Sequence, residues 1–102
     1  MRVSIRRTGG IAGVAMAAEL DTAQLPAVQA GRLEAALTGL PWGGPPALPP
    51  HPDAFSYEVA LPEEPDRGTA VLPESRMEGD LAVLREHVQQ AGAPVSRRRP
   101  GG

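Results

Sequence analysis

The sequence contains no cysteine and no lysine, and only three of its 102 residues are aromatic. Without cysteine the chain can form neither disulfide bonds nor zinc–thiolate sites. Without lysine it can form no Schiff base and lacks the phosphate-binding lysine of a P-loop. The core must therefore consist mainly of Leu, Val and Ala. A chain of this length suffices for one domain with a single modest core.

Positive charge is scarce along most of the chain. The formal net charge is only −2, but six of the ten arginines lie at positions 2, 6, 7 and 97–99. Residues 8–96 hold all twelve acidic residues and four arginines, so their formal charge is −8. Because nucleic-acid binding depends on neutralising phosphates, this acidic body argues against a nucleic-acid partner.

Long apolar runs are absent as well. The start, MRVSIRR, has no apolar segment of the secretory type, and no run approaches the ~20 apolar residues of a membrane span. We therefore expect a cytoplasmic protein that binds no membrane.

The first half of the chain predicts a hairpin followed by a helix. Residues 2–8 and 14–20 alternate apolar and polar side chains, and the glycine-rich stretch between them predicts an antiparallel connection. Leucines at positions 33, 37 and 40 then recur at helical spacing. Pro26 suits the start of this helix, whereas Gly39 and Pro41 end it.

Residues 41–53 are rich in proline and form a predicted connector. Their PxxP spacing would also suit a recognition ligand, but we favour a stiff link because neighbouring elements fix both of its ends.

The second half repeats the pattern of two strands and a helix. Alternation predicts strands at 54–61 and 69–72. Ser75 and Glu78 match the S-x-x-E capping box and predict the start of the last helix, which ends near Gly92. The apolar stripe of this helix would comprise Met77, Leu81, Leu84 and Val88.

The order strand-strand-helix-strand-strand-helix predicts an α+β fold, with a four-stranded antiparallel sheet and two helices on one face. We assign residues 1–92 to a single domain, expected to be a monomer, and residues 93–102 to a disordered basic tail. Deletion of that tail should leave function and melting temperature unchanged.

The titratable residues do not form a catalytic or metal-binding pattern. His51 and His87 share no ligand spacing, and none of the serines lies in a nucleophile motif. The acidic turn around Glu63 is interrupted by prolines and lacks the calcium-loop pattern. We therefore expect a protein that is not an enzyme and uses no metal or cofactor.

Several blocks, in this order, resemble the emfourin family of protealysin inhibitors. They are R-x-G-G-[apolar]-A-G at Arg7–Gly13, E-L-D at Glu19–Asp21, R-L-E at Arg32–Glu34 and P-D-A-F-x-Y-E-V at Pro52–Val59. The resemblance covers roughly residues 2–90. It implies an intracellular, reversible inhibitor of thermolysin-like zinc metallopeptidases that needs no cofactor.

The candidate contact site is the predicted loop of Gly9, Gly10, Ile11, Ala12 and Gly13. Thermolysin-like enzymes favour a bulky apolar residue just after the scissile bond, and Ile11 would fill such a pocket. Alternatively, Ile11 folds back to cap the end of the sheet. A different class of function also stays open: a small non-catalytic adaptor that binds another partner through its proline-rich connector or its arginine tail.

Overall fold

The computed structural model describes residues 1–9, 15–44 and 55–95. The helices and strands in this part of the chain are β1 (Arg2–Gly9), β2 (Ala15–Asp21), α1 (Ala27–Thr38), β3 (Phe55–Ala60), β4 (Thr69–Pro73), α2 (Ala82–Ala91) and β5 (Ala93–Val95). The strands form an antiparallel sheet in the order β4-β3-β1-β2-β5. The α+β class agrees with the sequence-based expectation.

The predicted number of strands was wrong, because the sheet has five strands rather than four. The backbone N–H of Gly92 donates to the carbonyl of Val88 at 2.8 Å, and a Cβ at Gly92 would collide with that carbonyl. Glycine thus lets the chain turn tightly after α2. Ala93 then lies opposite Ala17, and Val95 lies opposite Ala15. These residues belong to the segment expected to be a disordered tail, whose remainder, 96–102, lies outside the described residues.

Both helices contribute to a core on one face of the sheet. Pro26 precedes α1 and Gly39 follows it, as predicted, and the helix buries Leu33 and Leu37. The core cluster contains Val3, Ile5, Leu20, Leu33, Leu37, Tyr57, Val59, Leu61, Leu72, Met77, Leu84 and Val88. Most of these are aliphatic, as the scarcity of aromatic residues requires.

The opposite face of the sheet carries charged and small side chains. Arg6 Nη1 lies 4.0 Å from Glu58 Oε2, and Arg2 Nε lies 3.8 Å from Glu19 Oε1. Exposed pairs of this kind stabilise a fold by less than about 1 kcal/mol each. They make this face polar without holding the fold together.

The predicted capping box does not start the last helix. The helix α2 begins at Ala82, after two 3₁₀ turns at Glu74–Arg76 and Gly79–Leu81, and no side chain caps it. Met77 lies between the two turns and is fully buried. Burial of a methionine contributes about 1.5–3 kcal/mol, which exceeds the ~1 kcal/mol of a typical cap. Core packing therefore overrides the local capping signal.

Candidate functional site

The candidate site lies where β1 ends and β2 begins, which we call the Gly9 end of the sheet. Gly9 has a φ of 104°, a conformation that side chains disfavour, and lies opposite Phe55 of β3. Ala15 lies opposite Val95 of β5. The sheet thus holds both residues that flank the segment 10–14. Of the predicted contact residues the structure describes Gly9, whereas Gly10, Ile11, Ala12 and Gly13 lie outside the described residues.

An arginine lies on an aromatic ring at the same end. The Cζ atom of Arg7 is 4.5 Å from the centroid of the Phe55 ring. Both side chains are half-buried, and Phe55 also packs against the core. A cation–π contact contributes about 0.5–1 kcal/mol at exposed sites and more when desolvated. The contact restrains the Arg7 guanidinium over the Phe55 ring. Arg7 itself lies two residues before Gly9 in the sequence.

Tyr57, two residues after Phe55 on β3, is fully buried. It is opposite Arg7 on one side and Leu72 on the other. Its Oη has no hydrogen-bond partner of normal geometry among the described residues, although Arg7 approaches it as a donor. Burial and the nearby Glu74 carboxylate raise the pKa of Tyr57, while Arg7 and Arg85 act in the opposite direction. The phenol therefore stays neutral at physiological pH.

We call Arg7, Phe55, Tyr57, Glu74 and Arg85 the Gly9-end cluster. It combines two aromatic rings with two arginines and one glutamate, so it is positive overall in a chain whose net charge is negative. Within the described ranges, no carboxylate oxygen lies within 4 Å of an Arg7 side-chain nitrogen. The cluster thus offers a positive group two residues before Gly9.

The opposite end of the sheet, which we call the Met1 end, is held by polar contacts. The hydroxyl of the buried Thr22 is placed to donate to Glu34 Oε2 at 2.7 Å and to the Met1 carbonyl at 3.2 Å. Its backbone N–H donates to the same Met1 carbonyl at 2.8 Å. The start of β1 is thereby tied to α1.

The acidic residues near the Met1 end also have structural partners. Glu63 Oε1 accepts a hydrogen bond from the backbone N–H of Arg2 at 3.2 Å, and Glu64 Oε1 lies 3.3 Å from Arg67 Nη2. Asp21 Oδ1 accepts from the N–H of Ala23 at 3.0 Å. This hydrogen bond lowers the pKa of Asp21, and the N-terminal amine at 3.6 Å lowers it further.

A second pair of arginine and aromatic ring lies at the Met1 end. The Cζ atom of Arg67 is 5.9 Å from the ring centroid of Trp42, whose Nε1 donates to the carbonyl of Leu37 at 2.8 Å. The N–H of Gly43 donates to the carbonyl of Thr69 at 3.1 Å. The hydrogen bond between Gly43 and Thr69 holds the residues that follow α1 against the start of β4. The pair of Arg67 and Trp42 provides an internal comparison for Arg7 and Phe55.

The model of the Emfourin family matches residues 5–89 of the chain. The chain belongs to the emfourin family. The name is that of a protease-inhibitor family, which implies a protease as partner rather than a reaction catalysed by the chain itself. No curated protein and no solved structure matches this emfourin-family chain.

The emfourin match includes Arg7, Gly9–Gly13 and the whole Gly9-end cluster. It ends before β5 and before the arginines at 97–99. The matched region therefore spans the predicted contact residues, whereas the fifth strand lies outside it.

Sequence reasoning missed the role of His87, which it interpreted as a solvated side chain. His87 Nε2 donates to the backbone carbonyl of Glu19 at 2.7 Å, so this nitrogen carries a proton. The contact joins α2 to β2, and no short-range pattern signals it. His51 lies outside the described residues. Across residues 1–9, 15–44 and 55–95, no group of three or more histidines and carboxylates could hold a metal ion.

In the same described ranges, none of the helices is both long enough and apolar enough to span a bilayer. The proline-rich connector is described only up to Gly44, and the arginines at 97–99 lie outside the described residues. The structure therefore contributes no geometry for the two segments through which an adaptor would bind.

Proposed function

We propose that this chain inhibits thermolysin-like, protealysin-type zinc metallopeptidases by occupying the active-site cleft reversibly. The observation that carries the proposal is membership of the emfourin family over residues 5–89. In this proposal the chain acts in the cytoplasm, as a monomer and without a cofactor.

The Gly9 end of the sheet supports a role for the predicted loop. Its two flanking residues, Gly9 and Ala15, are paired with β3 and β5. Fixing the ends of a binding segment reduces the entropy lost on association. A segment anchored in this way binds more tightly than the same residues in a free peptide.

Ile11 is the side chain that we propose enters the peptidase cleft. A pocket that takes a bulky apolar residue after the scissile bond would remove its side chain from water. Burial of an isoleucine contributes about 1.5–3 kcal/mol, or roughly ten- to a hundredfold in affinity. The glycines on both sides of Ile11 and Ala12 allow a close approach of the backbone to the enzyme.

Titration of a purified thermolysin-like peptidase with the purified chain tests the proposal. We expect activity to fall progressively, with a raised apparent KM and an unchanged kcat, because the chain and the substrate compete for one cleft. Unchanged peptidase activity at a large molar excess of the chain would refute the proposal.

The variant Ile11→Asp tests the assigned side chain. We expect inhibition to weaken at least tenfold, because an ionised carboxylate is costly in an apolar pocket. Val28→Asp is the matched control, since Val28 lies on α1 and is 68% exposed. It should inhibit as the parent does. If Ile11→Asp inhibits equally well, or unfolds the chain, then Ile11 caps the sheet and the contact surface lies elsewhere.

A further inference from the structure

Arg7 is more restrained than a free surface arginine. It is opposite Met16 of β2 and Tyr57 of β3, and its guanidinium stacks on Phe55. The guanidinium of arginine carries five N–H donors, and within the described residues no carboxylate oxygen lies within 4 Å of the Arg7 side-chain nitrogens. A guanidinium presented in this way suits bidentate hydrogen bonding to a carboxylate.

The surroundings of Arg7 also favour an anionic partner. Arg85, from α2, lies close enough to influence the same tyrosine as Arg7, and Glu74 is the one acidic member of the Gly9-end cluster. The formal charges of Arg7, Arg85 and Glu74 sum to +1, on a chain with a formal charge of −2. A local patch of opposite sign to the net charge orients the chain as it approaches a negative surface.

We propose that Arg7, held on Phe55, binds a carboxylate on the rim of the peptidase cleft and so fixes the orientation in which the chain docks. This inference rests on the proposed inhibitory function and adds to it the chemical class of the group recognised on the enzyme. Arg7 lies two residues before Gly9, the one predicted contact residue that the structure describes.

The experiment compares inhibition of one thermolysin-like peptidase by the parent chain and by Arg7→Gln, at several ionic strengths. We expect Arg7→Gln to raise the inhibition constant about tenfold, chiefly through slower association. Added salt screens charges over about 8–10 Å at 0.10–0.15 M. The association rate of the parent should therefore fall with added salt more steeply than the rate of Arg7→Gln.

Arg67→Gln is the matched control. Arg67 also lies over an aromatic ring, but at the Met1 end and paired with Glu64. We expect its inhibition constant and its salt dependence to equal those of the parent. Arg7→Lys keeps the charge and loses the planar fork, so its inhibition should be intermediate and its salt dependence should persist.

The outcomes separate the two proposals. If the parent chain inhibits no thermolysin-like peptidase, the proposed function fails and this inference fails with it. If the parent inhibits and Arg7→Gln inhibits equally well, the role of Arg7 alone is wrong. A weaker Arg7→Gln with an unchanged salt dependence would show that Arg7 only supports the fold. An association rate of the parent that is independent of ionic strength overturns the inference without any variant.

Discussion

At the Met1 end of the sheet, side-chain hydrogen bonds join the described residues in addition to the contact of Arg67 with the Trp42 ring, whereas at the Gly9 end the side chains are joined by packing of aromatic rings. Thr22, Glu34 and the Met1 carbonyl form a closed polar network at the first. Phe55 and Tyr57 fill the second, and the hydroxyl of Tyr57 has no partner among the described residues. The two ends belong to the same sheet, but polar contacts of Thr22 fix the first and packing of Phe55 and Tyr57 fixes the second.

The polar contacts and the aromatic packing have different structural consequences at the two ends. Hydrogen bonds have directional preferences, so the polar network fixes how β1 starts relative to α1. Aromatic packing fills volume and leaves donors such as the edge of the Arg7 guanidinium for other partners. An end that contacts another protein, as we propose for the Gly9 end, can be well packed without using all its polar groups. Removal of single groups at each end tests this comparison.

The largest effect is expected from Tyr57→Ala. The side chain is fully buried at the Gly9 end, so its truncation should cost about 3–5 kcal/mol of the free energy of unfolding. Urea denaturation measures this change. Tyr57→Phe is the control and should stay within about 1 kcal/mol of the parent, because the hydroxyl makes no hydrogen bond to a described residue. A loss as large as that of Tyr57→Ala would show that the hydroxyl matters at this end.

The matching removal of a hydroxyl at the Met1 end is Thr22→Val. It keeps the branched shape and removes the contacts of Oγ1 with Glu34 and with the Met1 carbonyl. We expect a loss of about 1–2 kcal/mol, because a hydrogen bond to a carboxylate is stronger than one between neutral groups. The same urea denaturation measures it. If Thr22→Val and Tyr57→Phe cost the same, the two ends do not differ in the way described.

A smaller effect is expected from removal of β5. Truncation after Gly92 deletes a strand that pairs with β2 at Ala15–Ala17 and should cost about 1 kcal/mol. Truncation after Val95 retains the strand and should leave the melting temperature unchanged. This replaces the expectation that all of residues 93–102 are dispensable. Equal melting temperatures for both truncations and the full chain would restore that earlier expectation.

The smallest effect concerns pH and the Met1 end. The hydrogen bond from Ala23 lowers the pKa of Asp21 in the folded chain below its ordinary value of 3.8. A lowered folded pKa means that the carboxylate stabilises the fold above its unfolded pKa and loses this effect as pH falls through the folded value. Asp21→Asn should therefore melt slightly below the parent at pH 7, and the difference should shrink below about pH 4. A difference that stays constant from pH 7 to pH 2 would contradict this.

Local periodicity was sufficient for β1–β4 and α1. The alternation from Phe55 to Leu61 is visible within a few residues, and Gly39 marks the end of α1 in the sequence itself. β5 could not be predicted in this way, because three residues that include Pro94 carry no usable period. Its position follows from the turn at Gly92, which depends on how α2 packs.

At β5 the sequence carried no local signal, whereas at the start of α2 it carried a local signal that the structure does not follow. Ser75 and Glu78 match a capping pattern, but Met77 between them is buried in a core that forms from distant parts of the chain. The candidate site combines both cases. Its glycines are visible in the sequence, whereas the stacking of Arg7 on Phe55 depends on the register between β1 and β3. Alternation assigns both residues to one face, but it does not determine which residues become neighbours.

The hydrogen bond from His87 to Glu19 bears on whether a second copy of this chain could add a strand to the edge of β2. The pairing of β5 with β2 stops at Ala17, and Glu19 carries the next carbonyl with the same orientation along β2. An edge strand with unpaired backbone N–H and C=O groups is a template to which another chain can add, and such addition can begin aggregation. The imidazole of His87 occupies that carbonyl and takes the place that the backbone of an intruding chain would need. A side chain from a helix thus occupies one hydrogen-bond acceptor of β2 beyond the residues that β5 pairs with.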